Sequence, residues 1–225
     1  MVGLVYTMGA HPQNKIAIKW SPEFAYAIGL LVTDGCLSSD GRHIDLTSKD
    51  KEQLINYMKC LGIKNKIGFK KSGYLGKLTM RVQFSEVIFY NFLFNIGLMP
   101  NKSKILGAIA VPDEYFFDFL RGDFDGDGTF YSYWDPRWRS SYMFYTVFAS
   151  ASEKHILWIR EEIFQRLDIK GHVTKTGETP MYCIKYAKAE SLKLLPKMYY
   201  NPGVVCLSRK RKKIEAAFAV IREVV

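Results

Sequence analysis

Apolar positions along the chain follow two rhythms, one helical and one alternating, and their order occurs twice. From Ala25 to Leu37, AYAIGLLVTDGCL reads as a nearly continuous apolar helix closing on Asp34-Gly35. From Asp118 to Phe130, DFLRGDFDGDGTF has the same plan and closes on Asp127-Gly128. Ser21-Pro22-Glu23 is a start signal for the first helix, with serine as N-cap and proline at the first helical position. Gly35 and Gly128 stop the two motif helices. Each motif is followed by a strand, a polar start, an amphipathic helix and a second strand, in HIDLTSKDKEQLINYMKCLGIKNKIG and in YTVFASASEKHILWIREEIFQRLDIKGHV. KLTMRVQF then answers PMYCIKYA, and each half finishes in a helix followed by basic residues, near PNKSKI or SRKRKKI. Gly29 and Asp34 precede Gly122 and Asp127 by the same 93 positions, which marks a tandem duplication.

Each half therefore predicts helix, hairpin, helix, hairpin, helix, an α+β architecture of two αββαββα repeats. The expected divisions are an N-terminal extension at 1–20, a first repeat at 21–108 and a second at 109–225. In LTMRVQF the alternation sends Leu78, Met80, Val82 and Phe84 to a core face and Thr79, Arg81 and Gln83 to a polar one. The second half opens with a longer hairpin, TFYSYWDPRWRSSYMFYTVFAS, whose turn is marked by Asp135-Pro136 with Arg137 and Arg139 just past it. Two-stranded ribbons of this kind fit the major groove of DNA.

Charge sharpens that picture. Lys and Arg number 32 against 22 Asp and Glu, a formal net charge of +10, which points first to nucleic acid as partner and second to an anionic membrane surface. No stretch is apolar for the roughly 18 residues that a membrane span needs, so the expectation is a soluble intracellular protein with no membrane partner. With 225 residues and 48% hydrophobic content the chain can bury a substantial core. Tyr90, Phe92, Phe116, Phe117 and Trp158 read as packing within it. Cys36, Cys60, Cys183 and Cys206 lie too far apart for a zinc framework, and His11, His43, His155 and His172 form no paired motif, so reduced structural thiols are expected.

The chemistry concentrates in Asp123-x-Asp125-x-Asp127-Gly128. Carboxylates at a helix C-terminus oppose the helix dipole unless a cation compensates them. A calcium loop of the EF-hand type is a poor fit, because Trp134 stands where the bidentate glutamate belongs and Leu30 and Val32 replace two aspartates in the other copy. Asp123 and Asp125 have a plainer reading as solvated groups or as ion-pair partners of Arg121. What both copies share is a mid-helix glycine, Gly29 or Gly122, and a terminal carboxylate, Asp34 or Asp127. Glycines allow close helix approach. Side-by-side packing then brings the two carboxylates together, where divalent cations relieve their repulsion and suit phosphodiester hydrolysis.

These residues resemble the LAGLIDADG homing endonuclease family in its single-chain, two-motif form: AIGLLVTDG at 27–35 and LRGDFDGDG at 120–128 fill the nine motif positions. The resemblance runs from about Ser21 to the C-terminus and implies saddle-shaped antiparallel sheets packed through the motif helices. It implies Asp34 and Asp127 as acidic metal ligands, with the backbone carbonyls of Thr33 and Gly126 assisting. It implies Mg2+ as cofactor, with Ca2+ or Mn2+ able to substitute. Lys102 and Lys210 match the family's active-site lysines, with Arg209 and Lys212 competing with Lys210; Ser48 and Ser152 are candidates for orienting water. The sixth motif position is Val32 in one copy and Asp125 in the other, so an asymmetric metal environment is expected. The implied activity is double-strand cleavage of a long, partly palindromic DNA target by a monomer. For the groove-reading surface the candidates are Arg42, Lys70, Lys77, Arg81, Gln83, Arg137, Arg139, Lys175 and Lys185. Lys210 and its basic neighbours to Lys213 are otherwise a solvated helix face. Rival readings on the same fold are an intron maturase binding RNA and a transcription factor; an intein is disfavoured.

Overall fold

The computed structural model describes residues 15–71, 76, 78–138, 140–177 and 181–224. Lys77, Arg139 and the start of the expected N-terminal extension lie outside the described residues. The first repeat runs α1 (Pro22–Asp34), β1 (Gly35–Leu37), β2 (His43–Ser48), α2 (Lys51–Leu61), β3 (Gly68–Lys71), β4 (Leu78–Ser85) and α3 (Val87–Asn95). The second runs α4 (Phe116–Asp127), β5 (Thr129–Trp134), β6 (Tyr142–Ser150), α5 (Glu153–Leu167), β7 (His172–Thr176), β8 (Met181–Tyr186) and α6 (Lys188–Met198), and adds α7 (Ser208–Val224). The two antiparallel sheets have strand orders β1-β2-β4-β3 and β5-β6-β8-β7, the same order used twice.

Helix α1 starts where its cap dictates: Ser21 Oγ accepts the Phe24 N–H at 3.1 Å, with Pro22 in the first turn. Every residue from Phe24 to Val32 is buried, as expected of a helix apolar on all sides. Its companion α4 is equally enclosed, although it carries Asp118, Arg121, Asp123 and Asp125. The two lie against each other at the centre, with α2 beside α1 and α6 beside α4, so one face of each sheet is covered by helices. Strand alternation points Ile44, Leu46 and Val82 into that core, all fully buried. Leu78 departs from its expected core position and is 66% exposed, because it stands at the end of β4 opposite Lys71 of the edge strand. The five aromatics expected to pack all do, Phe116 and Tyr90 in the core and Phe92, Phe117 and Trp158 against it.

Buried charge in α4 has partners. Arg121, 1% exposed, pairs with Asp118 at 2.7 Å and donates to the carbonyls of Met198 (2.6 Å) and Val205 (2.8 Å), pinning the segment after α6. Neither Asp123 nor Asp125 is Arg121's partner, and neither is solvated. Both lie inside α4 rather than on a loop, which removes the calcium-loop geometry altogether.

Candidate functional site

The centre of the molecule is built on absent side chains. A Cβ on Gly29 would stand 2.2 Å from Phe119 O, and one on Gly122 would stand 2.1 Å from Tyr26 O. Only glycine at both positions lets the helices touch backbone to backbone. One turn further on, a Cβ on Gly126 would meet Thr33 Oγ1 at 1.9 Å, so the last turns are also pressed together. The contacts 29 to 122 and 33 to 126 relate equivalent positions and mark the pseudo-twofold axis.

Asp34 and Asp127 are the final residues of α1 and α4, which places them at the same end of this tight pair. Asp34 is half-buried and accepts a hydrogen bond from Gln53 Nε2 of α2; Gln53 is itself held by Ser48 Oγ at 2.9 Å. Burial raises the Asp34 carboxyl, and Gln53 together with the ammonium groups of Lys210 and Lys102 opposes the rise. Asp127 reaches solvent at its tip but is hemmed in behind. Exclusion of water, followed by repulsion from Asp34 and Asp123, pushes it up to about 6. Asp127, Thr33 and Lys102 share a cleft of about 310 Å³, completed by Ala149 and Met181 of the second sheet. Asp34 is not among its walls and is turned towards α2.

Each carboxylate has a buried lysine near it. Lys102 Nζ donates to Gly35 O at 2.7 Å and Thr33 O at 3.3 Å. Lys210 Nζ donates to Gly128 O at 2.6 Å, to Asp125 O at 2.9 Å and to Phe124 O. Gly35 and Gly128 are equivalent positions, so the lysines perform the same act in each half: they cap the carbonyl end of a motif helix. Their settings differ. Lys102 sits on a short 3-10 turn, Lys102–Lys104, whereas Lys210 lies in the first turn of α7. Burial lowers both, Lys210 to about 8, with the aspartates pulling back up. Of its basic neighbours, Arg209 pairs with Asp50 at 2.8 Å and Lys212 is exposed. The start of α7 is held from the first repeat: Glu52 accepts from Ser208 N and Oγ, and Asn56 donates to Cys206 O at 3.0 Å.

Sequence reasoning missed three supporting groups. Gln53 orients Asp34. Asp125, completely buried, accepts from Tyr26 Oη at 2.8 Å and Leu207 N at 2.7 Å through Oδ2, while Oδ1 has no partner among the described residues. Burial raises it to about 6. Asp123 Oδ2 faces His155 Nε2 at 3.3 Å, and His155 Nδ1 faces Gly107 O at 2.9 Å. Ser152 is buried and donates its hydroxyl to Leu106 O.

The candidate groove residues separate. Lys70 and Arg81 flank Asp45 at 3.3 and 3.7 Å on the uncovered face of the first sheet, with Gln83 exposed beside them. Arg42 and Arg137 are at turns, paired with Asp40 (3.6 Å) and Asp135 (2.9 Å). Lys185 lies on the uncovered face of the second sheet. Lys175 does not: its register partner is Tyr182, which packs towards the core, and Lys175 lies 5.6 Å from that ring.

The donor set offered by Asp34, Asp127 and nearby carbonyls consists of hard oxygens, which fits a magnesium ion that keeps most of its waters. Among the described residues no three His, Cys, Asp or Glu side chains converge on one point. None of the helices described is long and apolar enough to cross a membrane.

No protein-family model matches the chain, and no curated protein matches it. Solved structures do. The homing endonuclease I-WcaI, bound to its DNA recognition sequence, superposes with a TM-score of 0.57 at 15% identity, covering 86% of each chain. The I-LtrWI LAGLIDADG homing endonuclease, bound to target DNA, gives 0.57 at 14% identity over 89% of this chain and 90% of that one. Full-length DUF199/WhiA from Thermatoga maritima gives 0.55 at 18% identity; the match takes in 91% of this chain but only 63% of WhiA. The fold is therefore the two-repeat LAGLIDADG fold.

Proposed function

We propose, with that fold as premise, that the protein is a site-specific endonuclease that hydrolyses both strands of a long, partly palindromic duplex using magnesium. The observation that carries the reading is the pair of helix-terminal carboxylates, Asp34 and Asp127, brought to one end of a glycine-packed helix pair beside two buried lysines. Bound magnesium would supply Lewis-acid stabilisation of phosphate charge and ease ionisation of a water. The chain's part is to hold and aim. Gln53 fixes the Asp34 carboxylate, and the repulsion felt at Asp127 is what a divalent cation relieves.

The lysines take a role defined by their hydrogen bonds. All three N–H donors of Lys210 have carbonyl partners, so it acts as a fixed positive charge near the scissile phosphate rather than as a direct phosphate ligand. Lys102 keeps one donor beyond its two carbonyls, and it borders the cleft with Asp127. The net charge of +10 and the DNA-bound neighbours support duplex DNA as substrate and leave the fold compatible with intron RNA. Incubating the full chain with a randomised duplex library and sequencing cut ends, with magnesium and with EDTA, tests this. Cutting at one recurrent site only with metal is expected. Binding of structured intron RNA with no duplex cut under any divalent metal would replace the nuclease by a maturase.

A further inference from the structure

The uncovered faces of the two sheets carry different chemistry on one strand order. On the first, register sets Asp45 and Thr47 of β2 opposite Gln83 and Arg81 of β4, a surface of hydrogen-bonding groups. On the second, Tyr131 of β5 pairs with Tyr145 of β6, and Tyr133 pairs with Met143. The three tyrosines stack on one another, with centroids 5.3 to 6.5 Å apart. Lys185 lies over Tyr131 and Tyr145 at 5.8 and 5.5 Å, and the carboxylate at the end of this face, Asp135, is paired with Arg137 at 2.9 Å. Tyr131 and Tyr133 are 38% and 41% exposed, on a sheet face that no helix covers. The face runs without a break into the Asp127 cleft, because Ala149 and Met181 belong to both.

Mutual stacking leaves less ring face for an unpaired base than separate aromatic platforms would. The cluster also offers C–H edges and hydroxyls. In a B-form major groove the thymine C5-methyl is the apolar group a protein can cover, whereas the A-form groove of RNA admits no side chains and uracil has no methyl. We propose that the two halves of the target are read by different chemistry: Tyr131, Tyr133, Met143 and Tyr145 recognise thymine methyl groups in one half-site, while Arg81, Gln83 and Lys70 read the other by hydrogen bonds. This rests on duplex DNA being the substrate, and it specifies the composition of that substrate half by half.

The test replaces atoms in the DNA first and in the protein second. Duplexes retained by the full chain in EDTA are selected from a random library, and thymines in the enriched site are replaced by deoxyuridine, one half at a time. Covering a methyl is worth about fourfold in affinity, so Kd should rise about fourfold per contacted thymine in one half and less than twofold in the other. Tyr131→Ser and Tyr145→Ser should abolish that uracil sensitivity and leave the other half unchanged, which assigns the sensitive half to the second repeat. An enriched duplex indifferent to uracil in both halves, or a sensitivity that survives both tyrosine changes, overturns the inference and leaves the nuclease reading standing. Enrichment of single-stranded RNA with no duplex retained at any salt overturns both.

Discussion

Replacing Gly29 with alanine is the most direct probe of the helix contact on which the site depends. The new Cβ would lie 2.2 Å from Phe119 O and 2.6 Å from Asp123 N. The closer approach is more than 1 Å inside ordinary contact at about 3.5 Å. Both obstacles are backbone, so no rotamer change can yield space; α1 and α4 must separate or slide. Alanine gains about 1 kcal/mol over glycine as a helix former. Overpacking a core typically costs about 1–3 kcal/mol and more where nothing can move. The expected net loss is about 2 kcal/mol or more, read as a lower urea midpoint at unchanged m. Gly122→Ala, with 2.1 Å to Tyr26 O, should match it. Gly107→Ala is the control: nothing lies within 4 Å of its Cβ, so it should be neutral or gain up to about 1 kcal/mol. Because separation shifts Asp34 from Asp127, cleavage by any folded Gly29→Ala protein should fall further than DNA affinity. A Gly29→Ala protein as stable as its parent would refute the backbone contact, and full cutting would refute its importance for the site.

Asp34→Asn and Asp127→Asn should each abolish cleavage in a nicking and linearisation assay while Kd for the selected duplex changes less than about threefold, since neither is among the side chains assigned to base reading. Lys210→Met should orphan the Asp125 and Gly128 carbonyls, costing about 1–3 kcal/mol in chemical denaturation, and should lower kcat more than KM. With Lys210 at about 8, the wild-type cutting rate should decline as pH rises through that value as the charge is lost, and Lys210→Met should lack that limb. Asp125 gives a stability signature. Its folded carboxyl, at about 6, holds a proton more tightly than the unfolded one at 3.8, so the native state binds more protons between those values. On Asp125 alone, stability without metal should be greatest below about pH 4 and fall by on the order of 3 kcal/mol by pH 7; Asp125→Asn should remove that share in a pH series of urea melts and leave the one due to Asp127 and Asp34.

Much of the architecture was legible because local signals agreed with the fold. Ser21-Pro22 set the start of α1, the common offset of 93 positions exposed the duplication, and the paired glycines pointed to helices in contact. What stayed hidden was settled by distant chain. Asp125 looked like a helix-end charge, yet its partners are Tyr26 and Leu207, and the partner of Asp123 is His155. Gln53 carries no motif, and only the packing of α2 against α1 brings it to Asp34. Lys175 was expected on a polar face or tip, and it is the tip that holds: it is exposed next to the end of β7, on the core side of the register, because a short edge strand gives too few residues to fix its phase. The tyrosine cluster was invisible for a related reason, since stacking across β5 and β6 depends on register.

The strap from α2 to the start of α7 makes the repeat boundary a poor place to divide this molecule. Glu52, Asn56 and Asp50 of the first half seat the residues that carry Lys210, so the second half borrows its reference point from its sibling. A gene fission there would yield one fragment with no lysine for the far strand and another whose terminal helix kept its seat on β5 and β6 but lost the grip of α2 on its first turn. In this chain the two copies have come to share a fastening that neither holds alone.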